Sequence, residues 1–230
     1  MIRAYGFYGY SPEWSVFLDQ LPLTVALIWP VVIHSARDLA HAIGARRVAV
    51  AAAALVFTDA ALIEPVAVQS GLWTWFEPGF FGVPLIGVIG WAVFAGVTLR
   101  LVERSAVVVI LAPAAITHLV LLASWWGGLR WVSAPIPDPV AVAVAWTLSV
   151  GACVAAYRSE AAARVPLVAL LLRVPAAGFF FVLLARHGDG LLVAFAVAFV
   201  PPYLLLTSRA ASWWVSTRPS GPASPSATPP

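Results

Sequence analysis

The sequence predicts an all-α membrane protein with about seven transmembrane helices, and three observations support this fold class. Apolar residues make up 62% of the 230 residues, only 10% are charged, and the mean hydropathy is +0.93. The apolar residues form continuous, alanine-rich runs such as VAVAAAALVF, without the alternation typical of a membrane β-barrel. These runs approach the roughly 20 residues that a helix needs to cross a bilayer.

Charged residues and turn-forming residues divide the chain into seven such runs. The predicted helices are Phe17–Ser35, Val48–Val66, Val83–Leu101, Ala106–Trp125, Val140–Tyr157, Val165–Ala185 and Leu191–Thr207. Pro65 predicts a bend or an end of the second helix, and Pro201 with Pro202 predicts a kink in the seventh. Residues 1–214 are predicted to form one transmembrane domain, and the Pro/Ser-rich tail 215–230 is predicted to be disordered.

The arginines predict the orientation of the chain, which contains no lysine. Short cytoplasmic loops retain positive charge. Nine arginines follow the odd-numbered helices: Arg37, Arg46, Arg47, Arg100, Arg104, Arg158, Arg164, Arg209 and Arg218. Three fall on the other side: Arg3, Arg130 and Arg186. The N-terminus is therefore predicted outside and the C-terminus inside a bacterial cytoplasmic membrane, and no aromatic-basic pattern indicates a nucleic-acid partner.

Two carboxylates, Asp59 and Glu64, lie in the second predicted helix, where an ionisable group is costly and usually functional. By helical rise, Asp59 lies roughly 18 Å from the cytoplasmic helix end, at the height of His118 and slightly above Arg173. We predict that these three side chains line one internal polar cavity. Glu64 lies about 140° around the helix from Asp59, so the two acids do not share a face. The bend or end predicted at Pro65 would redirect Glu64 inward, near the outer rim of the cavity. A structural salt bridge for Asp59 and an interhelical hydrogen bond for His118 remain alternatives.

The segment after Glu64, SGLWTWFEPGFFG, is rich in aromatic residues, including Trp73, Trp75 and Phe81. Tryptophans at this depth commonly anchor a protein at the lipid headgroups. The alternative is an aromatic wall beside a long apolar ligand or a carbocation, since aromatic faces attract cations. The nearby carboxylates favour the second interpretation.

The stretch from Thr58 to Trp91 resembles the membrane carotenoid biosynthesis proteins typified by bisanhydrobacterioruberin hydratase, also called carotenoid 1,2-hydratase. The matching residues are Asp59, Glu64-Pro65-Val66-Ala67, Gly71, Trp73, Trp75, Phe81-Gly82-Val83-Pro84-Leu85 and Gly90-Trp91. A more distant likeness is to the membrane lycopene cyclases. The chain departs from the family pattern at Gly87, where the family pattern has an asparagine, and it contains no asparagine anywhere.

The resemblance implies acid-catalysed hydration of the terminal double bond of an acyclic carotenoid. An acid protonates one carbon, and water traps the tertiary cation. Asp59 is the first choice of donor, and Glu64 becomes the better acid if Asp59 pairs with Arg173. Glu64 otherwise orients water, with His118 and Arg173 as further catalytic candidates. The predicted substrate-binding residues are Trp73, Trp75, Phe81, Pro84, Gly87 and Trp91.

The same residues are compatible with other functions. A carotenoid end-group cyclase shares the protonation step, and a non-catalytic carotenoid-binding protein or a small-molecule transporter also fits intramembrane charges. The four histidines are scattered and form no metal-ligand pattern, and no nucleotide-binding motif is present, so neither a metal nor a cofactor is predicted. The predicted partners are a carotenoid and membrane lipid.

Overall fold

The computed structural model describes residues 6–129 and 136–216, and most of them are helical. Helices α1 to α5 are Leu23–Ala42, Val48–Gln69, Leu85–Leu101, Ala106–Ser124 and Asp138–Arg158, and a π-helical turn, Trp125–Leu129, extends α4. A short helix, α6, follows at Glu160–Ala163. The sixth apolar span consists of α7, Leu167–Leu171, and α8, Val174–His187, and the seventh consists of α9, Gly190–Val197, and α10, Val200–Ser216.

Six of these spans are long and apolar enough to cross a membrane, and α3 is a shorter apolar helix of 17 residues. At about 1.5 Å per residue, α3 extends over roughly 26 Å, close to the thickness of a hydrocarbon core. The predicted fold class, an all-α polytopic membrane protein, is confirmed. The α10 helix continues to Ser216, and the remainder of the predicted tail lies outside the described residues.

The first predicted helix begins too early. Phe17–Leu18, strand β2, pairs antiparallel with Leu21–Pro22, strand β3, and the intervening Asp19 has a left-handed φ of 58°. The polar Asp19-Gln20 pair suits a turn, and α1 starts only after Pro22. The apolar run therefore predicted the span but not the hairpin before it.

Prolines have different effects in α2, in the sixth span and in the seventh span. The sequence predicts a bend or an end of the second helix at Pro65 and a last residue at Val66, whereas α2 continues to Gln69. Pro65 is itself buried, so packing of this last turn compensates for one missing N–H donor. The sixth span is interrupted between α7 and α8, directly before Pro175, and the seventh is interrupted just before Pro201 and Pro202.

Two further strands form an antiparallel pair that joins distant parts of the chain. Strand β1, Tyr8–Tyr10, pairs with strand β4, Trp73–Trp75, which follows α2. The register places Tyr8 opposite Trp75 and Tyr10 opposite Trp73. Successive side chains of a strand point to opposite faces, so the two tyrosines and the two tryptophans share one face. We call this β1–β4 pair the aromatic sheet.

The α2 helix is central to the bundle, since it packs against α1, α3, α8 and α9. Small residues permit its close approach to α3: Ala52 and Ala95 are fully buried, and a Cβ atom at Gly96 would lie 3.3 Å from the Cβ of Ala53. The α4 helix packs on α3, and α5 packs on α9 and α10. Both intramembrane carboxylates are therefore on the helix with the most neighbours.

Candidate functional site

Glu64 is buried in the bundle, with 1% of its surface exposed, and it accepts hydrogen bonds from three indole groups. Trp73 and Trp75 each donate their Nε1–H to Oε2 at 2.8 Å. Trp91 donates its Nε1–H to Oε1. An indole can only donate, so both oxygens of Glu64 act as acceptors. A carboxylate has this capacity, and so does a carboxylic acid, because its carbonyl oxygen accepts two hydrogen bonds and its hydroxyl oxygen accepts one while still carrying a proton. We call Glu64 and these three tryptophans the indole cradle.

Local geometry explains how two of the donors reach one oxygen. Trp73 and Trp75 are two residues apart on β4, so both rings point to the same side of the strand. The chain reaches β4 through a tight turn in which Gly71 has φ +72°, a conformation that glycine adopts without strain. Trp91 comes from α3, which lies directly against α2.

The loop between β4 and α3 is fixed from a third helix. The Phe81 N–H donates to Oδ1 of Asp138, at the start of α5, at 2.7 Å. Phe81 has a left-handed φ of 48°, and its ring packs 5.2 Å from that of Phe195. Pro84 is buried at the N-cap of α3. These two predicted substrate-binding residues hold the loop, and the indole cradle is formed by other side chains.

Gly87 makes room for one of the indoles. A Cβ atom at Gly87 would lie 2.6 Å from Cζ2 and 2.8 Å from Cη2 of Trp75, distances that real side chains do not adopt. The Trp75 ring therefore fills the space that a side chain at position 87 would need.

Trp91 is also stacked on a residue of α1. The rings of Trp29 and Trp91 are nearly parallel, at 16°, with centroids 3.5 Å apart. Phe94 meets Trp29 edge-on at 6.0 Å. The stack fixes the plane of Trp91 and therefore the direction of its N–H group toward Glu64.

Asp59 belongs to a second polar cluster on the same helix. Arg173, at the break between α7 and α8, forms an ion pair with Oδ2 of Asp59, and the two side chains are 13% and 16% exposed. Tyr203 of α10 donates to Oδ1 of Asp59 at 3.3 Å, and Arg173 donates to Ser35 of α1 at 3.2 Å. The guanidinium also lies over the Tyr203 ring, at 5.6 Å. We call these four residues the ion-pair cluster.

The structure brings together two of the three residues predicted to line one cavity. Asp59 and Arg173 meet, whereas His118 is half-buried on α4, a helix that packs on α3. The described partners of Asp59 and Arg173 come from α1 and α10. Among residues 6–129 and 136–216, no three side chains of the metal-binding types converge on a point that could hold a metal ion.

Several residues that contact the site are not among those predicted from the sequence. Tyr8 and Tyr10 contact the cradle tryptophans from the other strand of the aromatic sheet, with ring centroids 4.7 Å (Tyr8 to Trp75) and 5.8 Å (Tyr10 to Trp73) apart. The alternation Tyr8-Gly9-Tyr10 is a strand signal of period two, and Trp73-Thr74-Trp75 repeats it. Trp29 offers no such local signal, because its role depends on α1 lying beside α3.

Comparison with known families now identifies the chain. The family model described as carotenoid biosynthesis protein matches residues 3–150, which include the whole indole cradle, whereas Arg173 and Tyr203 lie beyond the match. Neither a curated protein nor a solved structure matches the chain. The family resemblance of the Thr58 to Trp91 stretch is confirmed. The family model covers more than half of the chain, and the described part of the chain has six helices long and apolar enough to cross a membrane. The chain is therefore an integral membrane member of the carotenoid biosynthesis protein family.

Proposed function

We propose that the protein is a carotenoid end-group hydratase in which Glu64 is the acid and the base. The observation that carries the proposal is the indole cradle, in which a buried carboxyl group is bound by three donors inside an apolar bundle. Membership of the carotenoid biosynthesis family supplies the class of substrate, an acyclic polyene soluble in the membrane.

One carboxyl group can carry out both proton transfers of the reaction. Protonated Glu64 transfers its proton to one carbon of the terminal double bond, which leaves a tertiary carbocation and a carboxylate. Water adds to the cation and gives up a proton, which returns to Glu64. The net change is addition of water across the double bond, with the acid regenerated and no change of oxidation state.

The cradle favours the charge-separated state that proton transfer creates. Its N–H donors are already 2.8 Å from Oε2 before the reaction, so stabilising the new carboxylate requires no reorganisation. The indole faces supply electron density to the cation, an attraction of about 2 kcal/mol when water is excluded. Both products of proton transfer are thereby stabilised by the same three side chains.

The acid of this proposal is Glu64 and not Asp59, the first choice from the sequence alone. Asp59 is bound by the guanidinium of Arg173 and by the hydroxyl of Tyr203, a set that suits a permanent anion. We assign the ion-pair cluster to holding α1, α2, α8 and α10 together. A proton-shuttle role for His118 remains a prediction.

A cyclase is the second candidate, and Gly87 favours it. Trp75 fills the space that an amide side chain has in the family pattern, so no amide is present there to hold water. In a cyclase the same cation would be captured by an internal double bond, and loss of a proton to Glu64 would follow. Protonation by Glu64 is common to both reactions.

Expression in a host that produces an acyclic carotenoid separates these functions by product mass. Hydration adds the mass of water, and cyclisation changes the pigment without changing its mass. Pigment left unaltered by wild-type protein would contradict an enzymatic role and favour a binding protein or a transporter. The variant E64Q is expected to lose turnover. Its NH2 group cannot accept a hydrogen bond, so at least one indole N–H loses its partner, and thermal unfolding is measured to establish that the variant is still folded. The matched control is E77Q, which removes an acid from the loop after β4.

A further inference from the structure

The N-terminal segment is attached to the indole cradle along several residues. Besides the β1–β4 pairing, the Phe76 N–H donates to the carbonyl of Phe7 at 3.0 Å. The Ser11 N–H and the Trp14 indole both donate to the carbonyl of Leu72, at 2.9 and 3.0 Å. The chain on both sides of Trp73 and Trp75 is thus held by residues that precede the first transmembrane helix.

The two tyrosines of β1 cover the side of the cradle tryptophans that faces this segment. Their rings are in edge contact, with centroids 5.6 Å apart, and each contacts the indole opposite. Burial raises the pKa of both phenols above their usual value, so both stay neutral at physiological pH. Neutral aromatic groups exclude bulk water without adding a charge beside Glu64.

We propose that the N-terminal strand is a wall of the reaction site, in which Tyr8 and Tyr10 are positioning residues that hold Trp73 and Trp75 on Glu64 and exclude bulk water. This inference rests on the proposed function of Glu64. Neither the family resemblance nor the acids in the helices indicates it, because Tyr8 and Tyr10 lie more than fifty residues from Glu64 in the sequence.

If the wall excludes bulk water, it should affect the ratio of reaction products as well as the stability of the fold. A carbocation formed at Glu64 partitions between capture by water and loss of a proton or ring closure. A breach in the wall would change the access of water to the cation and therefore change this partition, in addition to slowing the proton transfer. A strand that contributes only to stability would leave the product ratio of the folded protein unchanged.

The first test compares Y8A and Y10A with Y8F and Y10F in purified protein of verified folding. Weakening one indole N–H hydrogen bond to Glu64 lowers kcat by about tenfold or more. We expect this loss of kcat, together with a changed product ratio, in both alanine variants. The phenylalanine variants keep the ring contacts and should stay within about twofold of wild type. The control is Y157F, since Tyr157 is exposed on α5. Alanine variants with wild-type kcat and product ratio would overturn the proposal.

A second test asks whether the wall is fixed. Gly9 and Thr74 are opposite each other on the face of the aromatic sheet directed away from the cradle. The pair G9C and T74C would link the strands by a disulfide, and C153A is added because Cys153 is the single cysteine of the sequence. A fixed wall predicts equal activity in the oxidised and reduced forms. Activity lost on oxidation and recovered on reduction would show that the strand must open, which overturns the fixed wall.

A third measurement keeps this inference separate from the proposed function. Amide hydrogen exchange of residues 73–75 needs no substrate, and it should be faster in the double variant Y8A/Y10A than in wild type. Unchanged exchange would contradict the positioning role even if the protein is an active enzyme. Wild-type protein that converts no polyene would instead refute the proposed function, whatever the exchange result.

Discussion

Replacing each cradle tryptophan with phenylalanine removes one N–H donor and keeps an aromatic ring. A hydrogen bond to a charged group contributes about 1.5–3 kcal/mol. If that bond stabilises the carboxylate formed on proton transfer, its loss slows the reaction by about 10- to 150-fold, since about 1.36 kcal/mol is tenfold in rate. The structure also predicts an order among the three variants.

The order follows from how the donors are shared. Oε2 of Glu64 accepts from both Trp73 and Trp75, so either single variant leaves it one donor. Oε1 accepts from Trp91, its one indole donor in the described structure. We therefore expect W91F to be the slowest of the three, with W73F and W75F less affected and similar to each other.

The assay is the rate of conversion of an acyclic carotenoid by detergent-solubilised protein, with thermal unfolding recorded for every variant. W146F is the control, because Trp146 donates to the carbonyl of Ala194 at 3.0 Å, in the contact between α5 and α9. W29F tests the stack separately, since it perturbs Trp91 without removing a bond to Glu64. If W91F were as active as W146F, the role given to the cradle would be wrong.

Three further outcomes are expected. G87A should displace the Trp75 ring and destabilise the fold by about 1–3 kcal/mol, measured by thermal unfolding, whereas G178A, with nothing within 4 Å of the added Cβ, should be tolerated. D59L and R173M should each destabilise the protein by about 3–5 kcal/mol, because each leaves one charge unpaired. The double variant should recover folding and turnover. A folded but inactive double variant would indicate that Asp59 takes part in catalysis. Because the folded-state pKa of Tyr8 and Tyr10 lies above 10.0, their contribution to stability is complete below pH 10 and is lost as the pH rises further; alkaline unfolding should therefore begin at lower pH in wild type than in Y8F/Y10F.

The sequence predicts the spans well because helix-forming apolar runs are local signals. It is weaker where a turn or a break depends on packing, as at the β2–β3 hairpin, at Pro65 and at the interruption before Pro175. Pro65 shows the reason: the cost of one missing donor is local, but its compensation comes from neighbouring helices and cannot be deduced from the α2 sequence alone.

In the candidate site, too, the residues could be predicted from local sequence, whereas their contacts could not. Glu64 and the three tryptophans were identified from the sequence, but the tryptophans were assigned to the cation through their ring faces, and their N–H bonds to Glu64 were not foreseen. Depth along the helix correctly brought Asp59 to Arg173, and it also suggested His118 because height does not determine which helices are neighbours. The contribution of β1 depends on pairing across more than sixty residues, which no local pattern determines.

A single rigid rod, α2, carries Asp59 and Glu64 on sides that differ by about 140°. Twisting this rod about its long axis cannot displace one acid without displacing the other. The contacts of Asp59 and the hydrogen bonds of Glu64 therefore both restrict rotation of α2. A single variant of Asp59 that leaves Arg173 unpaired should change the alignment of the indole N–H groups with Glu64, five residues away. The contacts that Asp59 makes with neighbouring helices, ionic in wild type and apolar in a matched double variant, thereby help to set the angular position of Glu64.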